Sequence, residues 1–313
     1  MISRNKLCSV GVVIRTKDRA VLLRRALESV QQSTYENWKL VIINDGGESE
    51  DVDWLVSKIF CGDTRVQVIH HPVSLGMEAA SNAGIAKLDT KYAVIHDDDD
   101  SWSPEFLSSM ISTIDRKIAI FPSIKGIVSF TNIVYETVSG NGIIIDKVKP
   151  FRSDMIGEGF LNVQKMLIKN QFPPIAFMFD LEEARALGLF NESLPVLGDW
   201  DFNMRFILKH DIWVLPEYLS FYHHRTSASG ALSNTIYCGH KQHKLYTQKI
   251  RNDLIRKAVG EDGRFTFNMT VLSEIQELLD WSIHNRSVEQ PKWRKKLSTV
   301  FRRVRNFLLR RGN

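Results

Sequence analysis

The sequence predicts an α/β fold: a mostly parallel sheet flanked by helices, with a helical C-terminal extension. Three observations carry that expectation. Short apolar, β-branched runs alternate with helical periodicity through residues 1–120. Polar clusters follow three of those runs directly. From about Cys238 the pattern is helical almost to the end, with a break around Gly260–Gly263. Strand–helix alternation implies parallel strands joined by right-handed crossovers. Ligands in such sheets bind at the carboxyl ends of the strands.

The elements follow in order. Ser9–Arg15 reads as a buried strand. Asp18–Gln32 carries Val21, Leu22, Ala26, Leu27 and Val30 at near-helical spacing. Lys39–Asn44 is a second strand, stopped by the Asp45-Gly46-Gly47 turn, and Asp53–Phe60 a second helix. Arg65–His70 is a third strand closed by Pro72, and Gly76–Lys87 an Ala-rich helix. Tyr92–His96 is a fourth strand that runs into Asp97-Asp98-Asp99-Asp100. A helix over Pro104–Asp115 follows, with Pro104 suited to its first turn. Gly126–Tyr135 and Gly142–Val148 form a hairpin around Ser139-Gly140-Asn141-Gly142. Helical stretches come near Phe160–Lys169 and Leu181–Leu187. Gly198-Asp199-Trp200-Asp201 then opens a helix to His210, and Ile212–Leu215 precedes Tyr222-His223-His224-Arg225. The domain reading is 1–235 for the catalytic body, with halves of about 1–120 and 121–235, and 236–313 for the extension.

Charge sorts the partners. The chain of 313 residues is +5 overall, yet ten of its 41 Lys and Arg and one of its 36 acids lie within Arg286–Asn313. Everything before that tail is therefore net −4, which does not suit a nucleic-acid-binding body. In the tail, Trp293, Leu297, Val300, Phe301, Val304 and Leu308 fall on one helical face, flanked by basic residues such as Lys292, Lys295, Arg302 and Arg303. Such a basic amphipathic helix suits an anionic membrane surface. Packing on the catalytic body, or a homodimer contact, is the alternative use of the same face. Three dispersed cysteines, no CxxC pair, a polar N-terminus and no apolar run near ~20 residues lead to the expectation of a cytoplasmic protein, peripheral on the inner face of the plasma membrane through its tail.

The acidic run concentrates the chemistry. Four adjacent carboxylates repel one another unless solvated or neutralised by a cation. On an extended segment alternate residues share a direction, so Asp97 and Asp99 would point one way and Asp98 the other. Two oxygen ligands plus diphosphate oxygens suit Mg²⁺ or Mn²⁺.

The ordered series VVIRTKDR, VIINDGG, LGMEAASNAGI, VIHDDDDSW and GDWDF, over roughly residues 8–230, resembles family 2 glycosyltransferases of the Rossmann-like GT-A fold. That resemblance implies an inverting transfer from a nucleoside-diphosphate sugar, UDP-linked by preference, to a glycan or lipid-linked acceptor in cell-surface polysaccharide or lipopolysaccharide synthesis. It places Thr16 and Arg19 in the nucleotide pocket, with helix capping by Thr16 or Asp18 as their other reading. It sets Asp45 on the nucleobase, with an Asp-Gly turn as the alternative. Asn82 falls in a stretch that usually reads G-x-x-x-A-R-N-x-G, where this chain has Ser81 in place of Arg; Gly84 suits close helix packing. The DxD element implies Asp97 and Asp99 as metal ligands, Asp98 facing the sugar or ribose, and Asp100 in a supporting or capping place. Asp199 becomes the base that takes the acceptor proton, although the Glu usually before it is Gly198 here. Asp201 reads as structural. His223 and His224 become metal ligands or ordinary strand-end histidines, and Arg225 a phosphate partner. The rivals are a nucleotidyltransferase, for which the glycine-free Thr16-Lys17-Asp18-Arg19 is a poor phosphate loop, and a catalytically inactive binding subunit.

Overall fold

The structure is a computed structural model and describes residues 9–139, 142–151, 157–225 and 240–258. The chain divides at Ile250/Arg251, and the whole sheet lies before that point.

The first half is four strand–helix repeats: β1 (Val10–Thr16), α1 (Ala20–Gln31), β2 (Trp38–Asp45), α2 (Ser49–Phe60), β3 (Val66–His71), α3 (Met77–Ile85), β4 (Tyr92–Asp97) and, after the short β5 (Ser101–Trp102), α4 (Phe106–Ile118). The helices start and stop within a few residues of their periodic patterns. Helix α2 is the exception, beginning at Ser49 with Glu50 and Asp51 in its first turn, where acids suit the positive end of the helix. Pro104 lies in the turn before α4, closed by Phe106 N–H on the Ser103 carbonyl, and not in its first turn as expected.

The second half holds the hairpin β6 (Ile124–Ser139) and β7 (Gly142–Pro150), then β8 (Gly159–Phe160), α5 (Val163–Ile168), β9 (Phe177–Asp180), α6 (Leu181–Ala186), α7 (Gly198–Ile207), β10 (Asp211–His224) and α8 (His240–Ala258). The residues around Gly260–Gly263 and the basic stripe from Trp293 to Leu308 lie outside the described residues.

The sheet runs β3-β2-β1-β4-β9-β6-β10-β5, with β7 on β6 and β8 on β10. Strand β9 is antiparallel to both β4 and β6. Strands β3, β2, β1, β4, β6 and β10 therefore all point the same way, and their carboxyl ends share one edge. The inserted antiparallel β9 is consistent with the mostly parallel sheet that the sequence predicts, and it leaves that edge undisturbed.

Both faces are covered, so the central strands read as continuous apolar runs. Val10, Val12 and Ile14 of β1 pack with Leu23 and Leu27 of α1 and with Leu40 and Ile42 of β2. On the other face α3 lies close against β1 at Gly84, where a Cβ would fall 2.4 Å from Val13 Cγ1. Phe177, Phe179, Phe202 and Phe206 tie β9 to α7 through ring contacts.

Candidate active site

The acidic run forms where β4 reaches the carboxyl edge. Asp97 is the last residue of the strand, and the chain then turns, with Asp100 N–H donating to the Asp97 carbonyl at 3.2 Å. The run is a turn and not an extended segment, so the expected alternation of Asp97 and Asp99 against Asp98 does not hold. Arginines sort the carboxylates instead. Arg15, from the end of β1, donates to Asp97 Oδ1 from Nη2 (2.8 Å) and Nε (3.2 Å). Arg19 donates from Nε to Asp98 Oδ2 (3.2 Å), with Nη2 2.5 Å from Oδ1. Asp99 pairs with Arg225, and Arg19 Nη1 stands 3.6 Å away. Asp100 Oδ1 accepts the His223 backbone N–H at 2.8 Å. Its Oδ2 is buried and finds no hydrogen-bond partner among the described residues.

These environments separate the four acids. Burial pushes Asp98 up to about 7 against the pull of Arg19. Burial, Asp99 and Asp97 push Asp100 well above the carboxylate range. Burial acts on Asp99 too, but Arg19 and Arg225 outweigh it and hold it below its usual value. The negative charge thus concentrates where the cations are.

Glu136, on β6, braces the turn from behind. It accepts from Arg25 Nη1 (2.7 Å), Arg225 Nη1 (2.9 Å) and His223 Nδ1 (2.8 Å). Arg25 also donates to the Asp99 carbonyl. Against the cost of burial, hydrogen bonds from His223 and Arg25 hold Glu136 down at about 2.

Two expectations change here. With Nδ1 on Glu136, His223 meets the Ser101 hydroxyl through Nε2 at 2.9 Å, so both ring nitrogens are engaged and it is not presented to a metal. Arg225 is buried in ion pairs with Asp99 and Glu136, which makes it a clamp on the turn and not an open phosphate partner. His224 lies edge-on to the rings of Tyr135 and Tyr222, and burial lowers it to about 4, so it is neutral at pH 7.

The donor-side neighbours divide likewise. Thr16 is buried at the end of β1. Asp45 accepts from His71 Nδ1 (2.8 Å), Ser74 Oγ (2.7 Å), Leu75 N (2.9 Å) and Gly76 N (3.0 Å). Its carboxylate pins residues 71–76, a role that neither the nucleobase reading nor the Asp-Gly turn reading anticipates. Asn82 donates to the Phe190 carbonyl (2.9 Å) and Glu192 (2.8 Å) and accepts from Phe190 N–H (3.1 Å). It fastens the loop before α7. A cavity of about 250 Å³ opens beside Arg19, lined also by Asp18, Val21, Glu48 and Asp51.

Asp199 stands in the first turn of α7 and accepts from Asn170 Nδ2 at 2.7 Å. Burial raises its pKa, partly offset by the Trp200 N–H and by Arg15. Asp201 pairs with Arg205 at 2.8 Å within the same helix.

Sequence reasoning missed Arg15, Arg25 and Glu136. Arg15 is a lone charge at the end of an apolar strand, and that was its available signal; Arg25, beside Arg24, and Glu136, in a mixed strand, carry none. Arg15 also answers the Ser81 departure. Its Nη1 donates to Ser81 Oγ at 2.7 Å, so a guanidinium reaches this place from β1 although α3 carries none there.

Among the described residues no three His, Cys, Asp or Glu side chains gather as a metal cluster. The donor chemistry still fits a divalent ion at Asp97, because both Arg15 bonds land on Oδ1 and the side chain keeps 21% exposure.

The chain is similar to known transferases. Residues 11–159 match the model described as Glycosyl transferase family 2. A glycosyl transferase of Escherichia coli K12 named for colanic acid biosynthesis, WcaA, is 31% identical over 104 residues, or 33% of this chain and 37% of its own. The chain thus spans little more than a third of that relative. Staphylococcus aureus TarS 1-349 in complex with UDP-GlcNAc superposes with a TM-score of 0.54 at 14% identity, over 72% of this chain and 61% of its own. GalNAc-T7 with UDP, GalNAc and Mn²⁺ gives 0.54 at 14%, over 75% and 47%. The chain shares its mostly parallel GT-A sheet with these structures, and residues 11–159, a little under half of its length, match the family 2 glycosyl transferases.

Proposed function

We propose that the chain moves a sugar, with inversion, from a UDP-sugar to a hydroxyl of a glycan or lipid-linked acceptor in cell-surface polysaccharide or lipopolysaccharide synthesis. The observation that carries this reading is the arginine-sorted turn Asp97–Asp100 facing the same sheet edge as Asp199 and Arg15. TarS with UDP-GlcNAc and GalNAc-T7 with UDP support the choice of donor.

In this reading Arg19 orients the donor diphosphate, leaving its carboxylate partners as it enters. The carboxylates lining the cavity beside Arg19 accept from ribose hydroxyls. Asp97 and Asp99, with His224 as the remaining imidazole, would hold Mn²⁺ or Mg²⁺, which when bound neutralises charge on the leaving diphosphate. Asp199 takes the proton of the attacking hydroxyl. Its raised pKa brings it nearer the working pH, as a general base requires. Attack from the face opposite the diphosphate inverts the anomeric carbon.

The basic stripe from Trp293 to Leu308 would seat the enzyme on an anionic membrane, where a lipid-linked acceptor lies. No described helix is long and apolar enough to cross a membrane.

The test is a thermal-shift screen of nucleoside diphosphates with and without Mn²⁺, followed by release of UDP from UDP-sugars. UDP should stabilise the protein in a Mn²⁺-dependent way. Asp199→Asn should lower transfer at least 100-fold while leaving UDP binding unchanged. Normal transfer by that variant overturns the base assignment, and stabilisation by no nucleotide overturns the donor.

A further inference from the structure

Helix α3 carries a buried acid that the reaction outlined above does not use. Glu78 is the second residue of α3 and only 5% exposed. Its Oε2 is buried without a hydrogen-bond partner among the described residues, and Arg15 Nη1 stands 3.7 Å away. A buried carboxylate oxygen without a hydrogen bond is costly. Neutralising Glu78 with its shape kept removes that cost and leaves Arg15 paired with Asp97.

Gly198 gives the acid its place. A Cβ at this position would fall 2.2 Å from Glu78 Cδ and 2.3 Å from Oε1. The Glu78 carboxyl group therefore fills the space in which a side chain at 198 would begin, directly before Asp199. A carboxylate thus reaches the spot directly before Asp199 from α3. Arg15 joins the two ends of the site: its guanidinium bonds Asp97 on the donor side, lies near Glu78, and feels the charge of Asp199. Burial, opposed by Arg15 and reinforced by Asp199, lifts Glu78 to about 7.

We propose that Glu78 is the partner carboxylate of Asp199, a positioning residue supplied from helix α3 in place of a side chain at Gly198. It acts through Arg15, holding the guanidinium between Asp97 and the acceptor side so that Asp199 faces the attacking hydroxyl. This rests on the transferase reading above.

The test measures UDP release from UDP-sugars by the full chain, UDP binding, and Tm for four proteins: wild type, Glu78→Gln, Gly198→Glu, and the double variant Glu78→Ala/Gly198→Glu. Glu78→Gln should lower kcat at least tenfold, with UDP affinity within twofold and Tm equal or higher. Gly198→Glu alone should also lose activity, because two side chains then compete for one space. The double variant should recover to within about threefold of wild type, its carboxylate now coming from α7. Wild-type kcat in Glu78→Gln overturns the proposal. A lower Tm in that variant assigns Glu78 to folding and also overturns it, as does a double variant no more active than Gly198→Glu. A wild-type protein that neither binds UDP nor releases it from any UDP-sugar fails earlier, at the transferase reading, and takes the proposal with it.

Discussion

At the scale of single residues, the acidic turn depends on its counter-charges. Four aspartates are visible in the sequence, but their roles are set by Arg15, Arg19, Arg25, Arg225 and Glu136, which arrive from β1, α1, β6 and the end of β10. Glu136 is the member whose loss is easiest to read. Its folded pKa of about 2 lies below its ordinary value of 4.5. A depressed carboxylate contributes stability that is fully present above the unfolded pKa and is lost as pH falls through the folded one. The window is therefore pH 4.5 down to about 2. Glu136→Gln should destabilise the protein at pH 7 by about 3–5 kcal/mol, since it strands Arg25 and Arg225 without their carboxylate. The gap to wild type should close across that window. Denaturant titrations at pH 7, 4 and 3 measure it, and a constant gap would show that the charge of Glu136 is not what stabilises the turn.

At the scale of elements, local pattern and tertiary placement part company. Helix α1 was legible because Leu22, Ala26, Leu27 and Val30 recur at helical spacing and are buried, whereas Val21, read with them, is 63% exposed. Strand β9 was not. Its four residues, Phe177–Asp180, follow a proline pair, and what makes them a strand is the gap between β4 and β6 into which they fit. Strand β10 was legible only at Ile212–Leu215 and at the strand-end histidines, whereas it runs from Asp211 to His224 past a register shift between Leu215 and Tyr218. The polar ends of β1, β2 and β4 were legible as a ligand edge, whereas the grip of Asp45 on residues 71–76 depends on a loop 26–31 residues distant. Gly84 shows how tightly α3 is seated. Gly84→Ala should cost about 1–3 kcal/mol, because its methyl group meets Val13 2.4 Å away and the packed interface has little room to adjust. Adding Val13→Ala should make the second substitution cheaper than it is in wild type. Strict additivity of the two changes would mean that α3 moves away from β1 as a body.

At the scale of the whole molecule, two charge distributions have separate uses. At the sheet edge Arg15, Arg19, Arg25 and Arg225 pair with the acids of the turn and with Glu136. Residues 286–313 hold ten cations against one acid, and their apolar stripe includes Trp293 and Phe301. Attraction of this segment to an anionic bilayer is about 1 kcal/mol for each basic residue near the surface, and insertion of the stripe adds apolar burial. The two contributions respond differently to salt, because screening shortens the reach of charge to about 8 Å at physiological ionic strength while leaving apolar burial in place. The full chain should sediment with vesicles containing 30% phosphatidylglycerol, roughly the charge density at which a polybasic segment is held, and should remain in solution with vesicles of phosphatidylcholine alone. High salt should weaken binding to the charged vesicles. Trp293→Ser/Phe301→Ser should weaken it further at every salt concentration, with UDP binding unaltered. Equal binding to neutral and charged vesicles would refute the electrostatic part. Full binding by the double serine variant would show that the stripe stays out of the bilayer and is covered by protein, on the catalytic body or on a second copy of the chain.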